Sequence, residues 1–79
     1  MFLPTVKLVT NILKILKKQS VGKTELLKLT KNNHTSVTIH LKWLIEKKFV
    51  KAIIEDNKIV YGITDLGRNF LETLSDSLV

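Results

Sequence analysis

The chain has 79 residues, 44% of them hydrophobic, with a net charge of +6 and no cysteine. That length allows one small core, the missing thiols exclude disulfides and thiolate metal sites, and no apolar run nears the roughly 18–20 residues of a membrane span. Residues 1–51 carry eleven lysines against Glu25 and Glu46, a balance of +9, whereas residues 52–79 balance to −3, so the basic part calls for a polyanionic partner.

The apolar spacing predicts a first helix over residues 4–18, with Pro4 in its first turn, where the missing N–H is not needed. Val6, Val9, Leu13 and Leu16 form its core stripe, and Lys7, Lys14 and Lys18 take a polar face. Leu8, Ile12 and Ile15 make a second apolar row. So small a chain seldom needs both rows. The second one either meets a partner molecule or lies under the C-terminal helix of the same chain. Residues 19–22 break the helix and can supply a short strand. Gly22-Lys23-Thr24 ends like a phosphate-binding P-loop, but that loop needs glycine where Lys17 stands. Gly22 instead caps a short helix, Lys23–Thr30, with Glu25 in the first turn where the helix dipole favours a carboxylate. Leu26, Leu27 and Leu29 supply its buried side.

A turn of Lys31, Asn32 and Asn33 leads into NHTSVTIHLKWLIEKK, residues 33–48, a single amphipathic helix. Asn33 is its N-cap, since the side-chain oxygen can accept an orphan N–H of the first turn. At about 100° per residue, Val37, Leu41 and Leu44 share one face, with His40 and Lys48 at its borders. Thr35, Thr38, Ile39, Lys42 and Glu46 lie opposite. Short hydroxyls, one aliphatic group and one lysine suit the floor of a DNA major groove. Two short helices joined by a polar turn make a helix-turn-helix. Residues 49–54 and Lys58–Ile63 then read as a β-hairpin turning at Glu55-Asp56-Asn57. Thr64 caps a last helix, Asp65–Ser77. Leu66, Phe70 and Leu74 form its inner stripe, widened by Leu71 and Leu78.

From Thr24 to Leu74 the chain resembles a winged helix-turn-helix. TSVTIHLKWLIEKKFV is similar to the recognition helix and first wing strand of small archaeal and archaeal-virus MarR-like transcriptional regulators, and YGITDLGRNFLETL to the strand and helix that follow the wing. The resemblance implies an α+β, mainly α, fold: a three-helix core, a two-stranded β-hairpin wing and a C-terminal helix, in one domain over residues 1–79. It also implies that His34, Thr35, Ser36, Thr38, Ile39 and Lys42 approach bases or flanking phosphates. Lys23, Thr24 and Lys31 would lie near the DNA backbone. A DNA-reading wing carries basic residues, whereas this tip offers Glu55 and Asp56, so only Lys51, Asn57 and Lys58 stay as candidate backbone contacts there. Ile39 replaces a polar or basic residue and fits a thymine methyl or a protein interface equally well. Trp43 is expected to pack under the wing.

No catalytic residues are expected. His34 and His40 are too far apart around the helix to share a metal, and His40 reads as a core-edge residue. The expectation is a sequence-specific double-stranded DNA-binding protein, a transcriptional regulator dimerising through Leu8, Ile12, Ile15, Leu71 and Leu78. The alternative is a winged-helix protein–protein interaction module using Ile39, Trp43 and the acidic hairpin. A third reading lays the basic first helix on a membrane surface; it is the weakest, because Leu8, Ile12 and Ile15 are better used between helices. No cofactor, metal, membrane or small-molecule effector is expected. Lys7 and Lys14 interrupt the N-terminal apolar stretch and no cleavage site follows, so the expected location is the cytoplasm, on the nucleoid.

Overall fold

Thr5, in extended conformation, turns the chain into the first helix, α1 (Val6–Lys18), of a computed structural model that describes residues 2–77. Pro4 lies one residue before this cap rather than inside the first turn. The Thr5 side chain makes no capping bond. Its backbone N–H instead donates to Nε2 of His40 at 3.0 Å, while Nδ1 of His40 lies 2.7 Å from the Ser36 carbonyl oxygen. Nε2 accepts, so the imidazole carries its proton on Nδ1 and donates it to Ser36. A buried histidine thereby fastens the head of α1 to α3 (His34–Glu46). The Phe2 ring stands edge-on to that imidazole at 5.0 Å.

Gly22 caps α2 (Lys23–Thr30), as expected. The Thr30 hydroxyl donates to the Leu26 carbonyl at 2.7 Å, and the Asn32 amide donates to the Thr30 carbonyl at 3.0 Å. Lys31 closes α2 in the left-handed region, φ 57°, a C-terminal position most often given to glycine. Asn33 opens α3, its Oδ1 accepting the Ser36 N–H at 2.8 Å. Every residue of the turn is thus held by a bond or a defined conformation.

The hairpin joins β1 (Val50–Glu55) and β2 (Lys58–Ile63), paired from Val50↔Ile63 to Glu55↔Lys58. Asp56 and Asn57 both have positive φ, 50° and 62°, the two-residue type I′ turn whose twist matches the strands. β1 begins one residue later than expected because Lys48, at φ 66°, reverses the chain and the Phe49 N–H closes on the Leu44 carbonyl at 2.9 Å. Val21 and Tyr61 exchange both backbone bonds, at 3.2 and 2.8 Å. The short strand expected before Gly22 is this one residue. Thr64 then caps α4 (Asp65–Ser77): its hydroxyl accepts the Gly67 N–H at 3.0 Å and donates to the Lys48 carbonyl at 2.7 Å.

Leu8, Val9, Ile12, Leu13 and Leu16 of α1 meet Leu26, Val37, Leu41, Leu44, Val50, Ile63 and Leu71 in one core. Full burial of such side chains contributes about 1.5–3 kcal/mol each. Three expected core positions are instead half-exposed: Val6, Leu29 and Leu66. Val6 lies in the first turn of α1 and is left half in solvent, and Thr30 takes the buried place next to Leu29. On α4 the inner line is Gly67, Phe70, Leu71 and Leu74, one residue round from Leu66. A Cβ on Gly67 would run into the Phe49 carbonyl and come within 2.9 Å of Ile63, so only glycine lets α4 lie this close.

The row reserved for a partner is also used internally. Leu8, Ile12 and Leu71 are 5%, 0% and 4% exposed, so they cannot present a dimer surface. Ile15 packs half-buried against the same core, and Leu78 lies outside the described residues. The second row of α1 is covered from within the chain, where α1 and α4 are in contact. Trp43 tilts against Phe49 at 6.1 Å and Phe70 at 6.5 Å, and those two rings stack at 4.2 Å. It therefore packs at the root of the wing.

Candidate nucleic-acid interface

α3 divides cleanly into two sides. Val37, Leu41 and Leu44 are buried, while Thr35, Ile39, Lys42 and Glu46 on the opposite side stand in solvent. His34 is exposed at the start of the helix, and Ser36 is half-buried there. The first turn holds no carboxylate, and of its N–H groups that of Ser36 is taken by Asn33, so the positive end of the dipole has no acidic side chain of the helix beside it. Thr38 sits at the edge of the outer side, half-buried, and its hydroxyl oxygen is shut off from solvent with no hydrogen-bond partner among the described residues.

Beside this helix a groove runs to the wing. Lys23, Thr38, Leu41, Lys42, Ile45, Glu46 and Tyr61 line its first part. It continues between the start of α2 and β2, where Lys23, Thr24 and Glu25 line it together with Lys58, Ile59 and Tyr61. Lys23 therefore stands between the two parts, with Lys42 on one side and Lys58 on the other. A lysine at the first position of a helix is placed where the dipole disfavours a cation, which suits a site that receives an anion. Tyr61 is the residue that sequence reasoning missed. Its backbone is pinned by Val21, it lines both parts of the groove, and only the alternation of β2 against Val21 could have pointed to it.

Other expected contacts lie elsewhere. Lys31 is exposed at the far end of α2 from Lys23, in the helix-turn-helix turn. On the hairpin, directly paired residues share a face and successive pairs alternate. Lys51↔Gly62 and Glu55↔Lys58 are on one face, and Ala52↔Tyr61 and Ile54↔Ile59 are on the other. Lys51 and Lys58 thus share the face opposite the one on which Tyr61 meets α3, and of the two it is Lys58, at the tip end of β2, that lines the groove. Asn57 is exposed at the tip beside Asp56. Ile54 and Ile59 are 82% and 58% exposed, an apolar pair next to the acidic turn of the wing tip.

Among the described residues no group of three or more His, Cys, Asp or Glu side chains could hold a metal ion, and no helix is long and apolar enough to cross a membrane. A winged helix-turn-helix family model matches residues 5–78. No curated protein sequence matches the chain. Among solved structures it is similar to the transcriptional regulator BldR from Sulfolobus solfataricus, with a TM-score of 0.84 at 21% identity over 91% of this chain and 54% of that one. The DNA-binding protein Sso10a-2 from Sulfolobus solfataricus superposes with a TM-score of 0.83 at 17% identity, over 96% of this chain and 79% of that one. The adhesin competence repressor AdcR from Streptococcus pyogenes gives 0.79 at 19% identity, over 94% of this chain and 57% of that one. These are likenesses of fold, and the chain spans about half the length of BldR and AdcR.

Proposed function

The chain belongs to the winged helix-turn-helix family, and from that we infer that it is a sequence-specific double-stranded DNA-binding protein, a transcriptional regulator that acts as a homodimer. The observation that carries this reading is the outer side of α3. Thr35, Ile39 and Lys42 stand exposed on a helix whose other side is locked in the core, flanked by Lys31 at the turn and by Lys23 in the groove. Thr35 and Ile39 offer a hydroxyl and a methyl-bearing surface to base edges. Lys23, Thr24, Lys31 and Lys58, with the Tyr61 hydroxyl, meet phosphates, and these contacts supply most of the affinity. The structural neighbours are named as a regulator, a repressor and a DNA-binding protein, which supports the same reading, and the reading in turn puts the protein inside the cell on its DNA. A homodimer follows from the shortness of a site that one helix reads, since paired half-sites are the usual remedy. Its surface is not the row of Leu8, Ile12 and Leu71, which the core uses.

Selection of bound sequences from a randomised duplex pool tests the reading. An enriched palindrome is the expected result, and a pool that enriches nothing would reject sequence-specific reading. A second reading, a protein-interaction module, is favoured by the exposed Ile54–Ile59 pair on an acidic wing. DNA retention that falls steeply with salt separates the two, because only the first releases counterions from phosphate.

A further inference from the structure

The grooves that hold lysines along α2, α3 and the wing each hold a carboxylate as well. Lys23 and Lys42 share theirs with Glu46, and Lys23 and Lys58 share theirs with Glu25. Lys14, Lys17 and Lys18 have Glu72 of α4 beside them. A notch lined by Thr5, Lys7, Leu8, Asn11, Thr30 and Asn32 has a lysine and no carboxylate. It lies where the start of α1 meets the end of α2 and the helix-turn-helix turn. Lys7 falls in the first turn of α1, where the helix dipole disfavours a cation, and no acid stands in that turn. Residues 1–24 contain no Asp or Glu at all. Helix stability therefore does not account for Lys7.

Two amides complete the notch. Asn11, one turn after Lys7, is half-buried, and its side chain has no hydrogen-bond partner among the described residues. The Asn32 amide donates to the Thr30 carbonyl at 3.0 Å, which fixes it and leaves its second N–H for a ligand. A cation flanked by two amides, with no acid competing, is the chemistry of an oxyanion site. The cavity measures about 210 Å³, below the roughly 300–1,000 Å³ of a pocket for a drug-sized ligand, so it suits a phosphate group rather than a larger effector. It is also held to α3 at both ends. Thr5 donates its backbone N–H to His40 of α3, and Asn32 directly precedes Asn33, the cap of α3. Lys31, exposed in the turn, stands between Thr30 and Asn32. An oxyanion site beside Lys31 is beside the DNA strand that Lys31 meets.

We propose that Lys7, Asn11 and Asn32 hold a backbone phosphate of the duplex that α3 reads, so that the start of α1 belongs to the DNA interface. This rests on the reading of α3 as a DNA-binding helix. The test measures affinity for the selected site and for an unrelated duplex of the same length across a salt series. Lys7→Gln should weaken both alike and flatten the slope of log K against log salt by about 0.9, a loss of about eightfold at 0.1 M salt. The preferred bases should not change. Lys7→Arg keeps the charge and should keep the slope. Lys18→Gln removes the same charge from the same helix about 16 Å further along, roughly two screening lengths at physiological salt, and should leave the slope as it is. Asn11→Asp puts a carboxylate into the notch with little change of shape and should weaken both duplexes. Lys7 and Lys18 are exposed, so the melting curves of their variants should coincide with wild type.

Equal flattening by Lys7→Gln and Lys18→Gln overturns the proposal, since net charge alone would act so. A slope that ignores Lys7→Gln overturns it too. A shift in preferred bases overturns it by making Lys7 a reader of bases rather than a holder of phosphate. If the Asn11 amide resonances respond to inorganic phosphate while Lys7→Gln leaves DNA binding alone, the notch takes a free anion and the proposal falls. Wild-type protein that binds neither duplex is a different result: it rejects the DNA reading of α3 itself, and the phosphate contact with it.

Discussion

α3 and the wing are the two parts of this fold offered to a partner, and they are held in opposite ways. α3 rests on the core along its length through Val37, Leu41 and Leu44, with Asn33 fixing its start and Phe49 closing on Leu44 at its end. The wing is fixed only at its root, by Val50, Ile63, the Phe49–Phe70 stack and the Val21–Tyr61 pair. Beyond that root, Ile54 and Ile59 stand in solvent and the turn carries Asp56 beside Asn57. A side chain that must meet a base edge needs a rigid support, and only α3 provides one. On the proposed function, reading would therefore fall to the helix, and the wing tip, with carboxylates that phosphates repel, would add little.

The largest expected effect comes from the foundation that both parts share. Gly67→Ala gains about 1 kcal/mol of helix propensity but drives a methyl into the Phe49 carbonyl and Ile63. Overpacking of that kind costs about 3 kcal/mol or more. The net loss should lower Tm by roughly 10 °C, at about 4–8 °C per kcal/mol for a chain of this size. Circular dichroism melting checks it, and an unchanged Tm would mean α4 can back away from Phe49 freely. Next in size, Ile39→Ala should cost roughly 1–3 kcal/mol on the preferred site and relax specificity at one position. Thr35→Ala should act likewise at another, and both are read in the same randomised pool.

Lys31→Gly separates binding from stability. Glycine tolerates the left-handed conformation that Lys31 holds at φ 57°, so the variant should be as stable as wild type or up to about 1 kcal/mol more so. It should nonetheless bind all sequences more weakly, with a salt slope flatter by about 0.9. An unchanged slope removes Lys31 from the interface. The smallest effect belongs to the wing tip. Glu55→Gln with Asp56→Asn should tighten binding slightly without changing preferred bases, and Asn57→Gly should firm up the type I′ turn and leave DNA binding alone. If these hairpin changes shift the preferred bases while Ile39→Ala does not, the comparison is reversed and the wing reads.

The sequence spoke most clearly where local chemistry decides. The Asn33 cap, the 3.6-residue rhythm of Val37, Leu41 and Leu44, the Asp56-Asn57 turn and the Thr64 cap all act within a few residues, and the structure has each of them. It was silent where distant segments decide. Gly67 has no apolar signal, so periodicity puts the inner line of α4 through Leu66. The core need for Leu8, Ile12 and Leu71 depends on how close α1 and α4 lie, which no periodicity states. Tyr61 joins the groove through Val21, forty residues earlier in the chain, and His40 finds its acceptor role from Thr5 across 35 positions. Exposure of the proposed contacts on α3 could be read from the pattern; their grouping around Lys23 could not.

Among the described side chains no lysine or arginine is ion-paired with a carboxylate. Ionic strength consequently works on one property at a time. Added salt screens the mutual repulsion of an excess of six positive charges, which leaves the fold undisturbed or slightly firmer, and the described side chains hold no internal bridge to weaken. The same salt strips the protein from nucleic acid. A concentrated salt wash should therefore release bound chain in its native state, and melting curves taken on either side of the wash should coincide while retention on DNA collapses.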